Sequence, residues 1–325
     1  MLNELWLSEP DGGVRSSTRL VASRLGIDLP PTPVGEHGRW RTDCIGEGTQ
    51  DFAIIEPCVV EIGKPRWEPV KALTAPWNRH ARRFTRRIAI ALNEVTIRQF
   101  RDYVPGYRST DSMLIGAPPE AAIMGVTLDD ARRFCNAMSE RAGLVACYEV
   151  RLNAKGMEIV VPKPNHLDLS GYRLPTDGEW ELACRAGTTT SRYFGNLAAA
   201  VASYGWMKEN NNAAGQSDRG TLPPQRVAEF LPNRWGLFDC YGNAKELCDT
   251  SLDPVDELEE IEDAVVPIDS WEESGFPTLR GLSIVDSGTT YARSHIRTKQ
   301  IVGWKDPTVG LRVARTIANT ELPIK

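Results

Sequence analysis

The period of apolar and polar positions changes several times along the chain, and each change marks an element. LNELWL and VRSSTRLVASRLG, near the start, carry helical spacing, with Leu20, Ala22 and Leu25 apolar and Arg19 and Arg24 outward. Pro30, Pro31 and Pro33 then interrupt the pattern. Residues 1–50 are therefore expected to form a short helical extension and linker, whose simplest role is to cover part of the main domain. From Asp51 the pattern turns β-like. DFAIIEP and CVVEIG are short β-rich runs split by a proline turn, and ARRFTRRIAIALNEVT reads as one strand in which Phe84, Ile88 and Ile90 alternate with polar or small residues.

Three helices announce their own starts. Thr96 precedes IRQFRDYV as an N-cap. Thr127 precedes LDDARRFCNAMSER, where Asp129 and Asp130 suit the first turn, Ala131, Phe134, Cys135 and Met138 form the apolar face, and Gly143 ends the helix. In YRLPTDGEWELACRAG, Pro175 fixes the approach and Thr176 with Glu179 completes a capping box, with Trp180 and Ala183 facing inward. Residues 144–171 read as a hairpin insertion with CYEVRL and MEIVVP as its strands. A long Gly- and Asn-rich region (188–232) follows, then an acidic run within 251–270 that reads as a solvated loop. TLRGLSIV, YARSHIRT and VGLRVAR read as three closing strands, placing Arg293 and Arg297 toward solvent or an acidic loop. The main domain is thus expected over 51–318, with a tail at 319–325, and no internal repeat is evident.

Between the irregular region and the acidic run lies Asn233 to Asp249, NRWGLFDCYGNAKELCD. Gly236 and Gly242 permit unusual backbone. Asp239 and Glu246 are carboxylates seven residues apart, with free carbonyls between them. Such hard oxygens suit calcium better than a transition metal; the plain alternative is two acids on a solvated loop.

Composition narrows the function classes. A length of 325 residues allows one large domain with an extension, or two domains. Hydrophobic residues at 41% and charged residues at 25% fit a globular protein in water. The net charge of −5 leaves no nucleic-acid footprint, and no apolar run is long enough to span a bilayer. MLNELWLSEPDGG lacks the basic and apolar regions of a secretory signal, so a cytoplasmic setting is expected unless the chain is cut from a longer polypeptide. The seven cysteines form no CxxC pair, which disfavours structural zinc and suits buried free thiols. The four histidines form neither HxxxH nor HExxH.

ALNEVTIRQF, VTLDDARRFCNAMS, GYRLPTDGEWELACRAG, PNRWGLFDCYGNAKEL, LRGLS and VGLRVAR occur in the order found in formylglycine-generating enzymes, also called the sulfatase-modifying-factor domain. The chain resembles that family over about residues 51–316, and CYEV…MEIVVPKPNHLDLSGYRLPT resembles bacterial members found beside or fused to signalling kinases. The resemblance implies an α+β variant of the C-type lectin fold, with little regular secondary structure and small antiparallel sheets flanked by helices. It also implies a structural calcium held by Asp239, the carbonyls of Gly242 and Ala244, and Glu246. A second family calcium site is not recognisable in KENNNAAGQSDRG.

Catalytic members of that family oxidise a cysteine with copper held by two cysteines. The resemblance places those positions at Asp286 and Tyr291, neither a thiol, and no cysteine follows Cys248. Carboxylate and phenol are poor Cu(I) ligands, so no copper is expected. Further departures are Lys245 for an aromatic residue, Thr308 for an asparagine, and GLR at 310–312 for GFR. A related iron-dependent branch needs a histidine cluster, whereas residues 1–50 hold only His37. The expectation is a non-catalytic binding module with a protein partner in bacterial signalling or defence, and no nucleic-acid or membrane partner. Its recognition surface would use Asp286, Tyr291, Arg293, His295, Trp304 and Lys305, although Trp304 also reads as a core residue. Two alternatives stand. One is an altered enzyme, in which Asp286 and His295 meet as an acid–base pair. The other is a lectin-fold variable protein diversified by a retroelement.

Overall fold

The structure, a computed structural model, describes the chain apart from residues 1, 33, 46–47, 66, 69–78, 108–113, 115, 212–222, 252–260, 263–276, 302 and 319–325. The tail and most of the acidic run therefore lie outside the described residues. Two helices open the chain, α1 (Leu2–Ser8) and α2 (Gly12–Arg24), the second capped by the Asp11 side chain, which accepts from the Val14 N–H. Strands β1 (Gly35–His37), β2 (Trp40–Ile45) and β3 (Gly48–Ile55) follow as an antiparallel meander. Next come β4 (Cys58–Ile62), β5 (His80–Phe84) and β6 (Ile88–Ala91), then α3 (Ile97–Tyr103) and α4 (Leu128–Arg141). The hairpin of β7 (Tyr148–Leu152) and β8 (Glu158–Pro162) leads to β9 (Tyr172–Arg173) and α5 (Asp177–Arg185). The remainder holds β10 (Lys245–Ser251), β11 (Ile261–Glu262), β12 (Pro277–Arg280), α6 (Gly288–Tyr291), β13 (Thr298–Lys299), β14 (Val309–Gly310) and β15 (Ala314–Thr316).

The principal sheet runs β1-β2-β3-β6-β15-β9. Its central strands are buried on both faces, which explains the unbroken apolar runs FAII and IAIA. Successive side chains point to opposite faces, so Phe52, Ile54, Ala89 and Ala91 enter one core while Ala53, Ile55, Ile88 and Ile90 enter the other. The first core is closed by α3, α4 and the start of the hairpin, and the second by α5 and Leu237–Tyr241. Smaller sheets β13-β12-β10-β14 and β11-β5-β4 complete the described fold. The three threonine caps close as full capping boxes, Thr96 with Gln99, Thr127 with Asp130 and Thr176 with Glu179.

Several segments differ from their sequence reading; VGLRVAR, expected as one strand, supplies β14 to one sheet and the start of β15 to another. Gly35–His37, Trp40–Ile45 and Gly48–Ile55 are strands of the principal sheet and not a linker, so the expected boundary at residue 50 falls inside β3. ARRFTRRIAIALNEVT is two strands in different sheets. The break falls where Arg86 turns out to Asp168 and Arg87 binds Glu36 and Glu56, so the paired arginines carry the chain between sheets. YARSHIRT is not a strand but the end of α6, a turn and the start of β13.

The extension is fastened to the sheet through Arg15. Its guanidinium lies between the rings of Trp6 and Trp40, 3.8 and 3.6 Å from their centroids. It donates to the Trp6 carbonyl, to Asp51 at 2.9 Å and to Thr32 at 3.1 Å. Beyond it, the Gly12 backbone meets the turn at Trp235 so closely that a Cβ there would sit 2.6 Å from the Trp235 carbonyl oxygen, and the Ser16 hydroxyl donates to the Gly236 carbonyl.

Candidate functional site

Asn233 organises the stretch to which the extension docks. Its side-chain oxygen accepts from the Trp235 and Leu237 N–H groups, and its amide donates to the Ala183 and Cys184 carbonyls at the end of α5. The chain then coils through left-handed backbone at Asp239, Gly242 and Asn243, with φ of 55°, 93° and 56°. This coil buries both candidate carboxylates: Asp239 is 1% and Glu246 0% exposed, which removes the solvated-loop alternative.

A third carboxylate, Glu94, shares the enclosure. It accepts from the Asn243 side chain at 2.7 Å and the Ala244 N–H at 2.9 Å. Sequence reasoning passed over Glu94, although an acid inside the apolar run IAIALNEV was a signal. Glu246 receives both arms of the Arg312 guanidinium, at 2.8 and 2.9 Å, and the Trp180 indole N–H at 2.6 Å. Asp239 accepts from the Ala228 N–H through one oxygen, while Oδ1 is buried with no hydrogen bond. Burial, then the neighbouring Asp239 and Glu246, pushes Glu94 well above the usual carboxylate range; burial pushes Asp239 up to about 6.

These carboxylate and carbonyl oxygens are of the hard type that a divalent cation prefers. Asp239 Oδ1 lacks a donor, and a carboxylate with three hydrogen bonds, such as Glu246, keeps a lone pair for a fourth contact. Among the described residues no group of three or more His, Cys, Asp or Glu side chains is arranged to hold a metal, so the two carbonyls would be needed.

The six residues nominated for recognition differ in exposure and in partners. Asp286 accepts from the Ser283 N–H and hydroxyl, and lies 3.4 Å from the Lys245 ammonium. Lys245 and Asp286 are both positions where the resemblance implies other residues, and here the two face each other. Tyr291 ends α6, partly buried against the second core. Arg293 is ion-paired with Glu68, and the His295 Nδ1 lies 3.7 Å from the same carboxylate. The alternative Asp286–His295 pair is not among the described ion pairs: Asp286 lies beside Lys245, and His295 lies near Glu68 with its Nδ1 in no hydrogen bond. Trp304 is 58% exposed and not a core residue, and Lys305 sits over the Tyr107 ring at 4.7 Å.

Beneath these residues lies a dry charge network that the sequence did not announce. Arg280, 0% exposed, binds Asp177 and Glu181 and donates to the Ser294 and Ile296 carbonyls. Arg297, expected toward solvent, is buried 2.8 Å from Asp177. Arg185 completes Glu181 at 2.8 Å. Cys135, Cys147, Cys184, Cys240 and Cys248 are buried free thiols, so none of them is presented at the surface.

Burial, aided by Arg185, Arg280 and Arg293 and opposed by Glu181, drives His295 down to about 3. Its folded value is depressed, so between about pH 6.5 and 3 the unfolded chain binds the extra proton and stability falls as pH drops. His295→Gln should flatten that fall in denaturant titrations between pH 6.5 and 4. An acid limb identical to wild type would count against a buried neutral imidazole.

The family model described as the sulfatase-modifying factor enzyme 1-like domain matches residues 49–317. Curated relatives include the chaperone protein LppX of Paenibacillus barcinonensis, 27% identical over 40% of this chain and 51% of that protein. They also include the formylglycine-generating enzyme of Bos taurus, 39% identical over 24% of this chain and 21% of that enzyme. The formylglycine-generating enzyme of Mycobacterium tuberculosis is 36% identical over 26% of this chain and 29% of its own length. The chain thus spans about half the length of the first of these relatives and less of the others. Among solved structures, Treponema denticola variable protein 1 superposes with a TM-score of 0.67 at 22% identity, covering 87% of this chain and 99% of that one. PvdO from Pseudomonas aeruginosa superposes at 0.58 and 17% identity, over 85% and 98%. At such identities the likeness speaks to fold alone, and it bears out the α+β, lectin-like architecture.

Proposed function

As the chain belongs to the sulfatase-modifying factor enzyme 1-like family, we propose that it is a non-catalytic member whose surface binds a protein, in a bacterial signalling or defence setting. The observation that carries this reading is the Lys245–Asp286 ion pair. It stands where the family resemblance places an aromatic residue and a copper thiolate, and the other thiolate position is a phenol packed on the core. Neither side chain is a soft ligand for Cu(I). The altered-enzyme reading has no Asp286–His295 pair to rest on, since Asp286 lies beside Lys245 and His295 near Glu68.

The module's contact surface is the exposed Ile301 and Trp304 with the half-buried Lys305 beside them, the indole standing ready to anchor a partner. The test has two arms. Incubation with copper, oxygen and a cysteine peptide should yield no aldehyde reactive to hydrazide; copper-dependent aldehyde would overturn the reading. A host protein that copurifies with the wild-type chain should be lost on Trp304→Ala, by tenfold or more in affinity. Retention at full affinity would move the contact surface elsewhere.

The same reading includes a structural calcium on Asp239, the Gly242 and Ala244 carbonyls and Glu246, supported by the unpartnered Asp239 oxygen. When bound, the ion supplies positive charge that fixes the coil and does no redox chemistry. Chelator should lower the melting temperature, since calcium at a hundredfold excess over its Kd contributes about 2.7 kcal/mol. Asp239→Asn should abolish the chelator response; an unchanged wild-type melt would argue that the ion is not held.

A further inference from the structure

We infer that the cavity beneath the N-terminal extension is a second ligand site, for a small molecule with an apolar body and one anionic head. The cavity has a volume of about 480 Å³, within the range that holds such ligands. Its walls include Ala53 and Ile55 of β3, Val60 and Ile62 of β4, Leu182 of α5 and Trp235. It lies away from Asp286 and Trp304, which are not among its lining residues, and the inference does not depend on how that surface functions.

The charge around it selects the head group. Each lining carboxylate is already engaged: Glu56 by Arg87 at 2.8 Å, Glu61 by Arg79 at 2.5 Å, and Asp11 by the Val14 N–H at 3.0 Å. Arg185 is spent on Glu181 and on the Thr190 and Gly63 carbonyls. Arg39 and Arg234 also line the cavity, are exposed, and enter no ion pair among the described residues. An apolar cavity with two uncommitted guanidinium groups favours a ligand whose tail displaces water from the walls and whose carboxylate or sulfonate meets an arginine fork. Cys58 lines the same cavity, half-buried and unpaired, and so reports occupancy.

Decanoate and 1-decanol are the probes, since they share a tail and differ in the head. Calorimetric titration of the full chain should show decanoate binding at least tenfold tighter than the alcohol. The double variant Arg39→Ser/Arg234→Ser changes only exposed side chains and should reduce decanoate to the level of the alcohol. Saturating decanoate should slow alkylation of Cys58 several-fold, read by peptide mass spectrometry, while the exposed Cys44 reacts at its original rate. The inference is overturned if decanoate does not bind, if the alcohol binds as well, if the double variant keeps full affinity, or if Cys58 stays unprotected.

Discussion

Arg280→Ala is expected to lower the unfolding free energy by about 3–5 kcal/mol, the range for removing one partner of a buried ion pair. The guanidinium is fully enclosed, and so are Asp177 and Glu181, which it joins. Its removal also strands the Ser294 and Ile296 carbonyls. Arg297 still holds Asp177 and Arg185 still holds Glu181, which places the expected loss toward the lower end. Arg280→Lys should recover only part of it, because an ammonium cannot serve acceptors on both sides of a planar fork. Urea titration measures the loss, and a midpoint within error of wild type for Arg280→Ala would show that the network contributes no stability.

Gly242→Ala should cost about 3 kcal/mol or more, from left-handed strain combined with overpacking. Gly242 adopts φ of +93°, and a Cβ on it would sit 2.0 Å from the Trp206 carbonyl oxygen. That oxygen already accepts from the Asn243 N–H at 2.8 Å, so the two backbones cannot separate without opening the coil. Loss of the chelator response should accompany the destabilisation, because the same coil presents the Gly242 and Ala244 carbonyls. Gly26→Ala is the control: φ is +64° there too, but nothing lies within 4 Å, so only the conformational penalty of about 1 kcal/mol should remain. Equal losses at the two sites in calorimetry would show that the close approach to Trp206 does not matter.

Features set by neighbours in the chain were legible in the sequence. The capping boxes at Thr96, Thr127 and Thr176 need only residues three apart, and the hairpin β7–β8 announces itself by two β-rich runs and a turn. Strands of two residues, such as β9, β13 and β14, carry no period to read. The site was hardest because its pairings are remote: Lys245 with Asp286, Arg312 with Glu246, and Arg293 with Glu68 across more than two hundred positions. Arg293 and Arg297 look like outward charges by alternation, yet buried carboxylates draw both inward. Trp304, nominated for recognition but also readable as core, stands in solvent, the less usual place for a large indole.

The position of β15 has a consequence for biosynthesis. Ala314–Thr316 wedge between β6 and β9, strands whose residues leave the ribosome far earlier. Until Ala314–Thr316 emerge, the nascent chain carries an open seam in the principal sheet, with Ile88–Ala91 exposed along one edge. The sheet therefore closes only once β15 has been made, and pairing across this seam is a late, long-range step during which the open edge invites association with other chains.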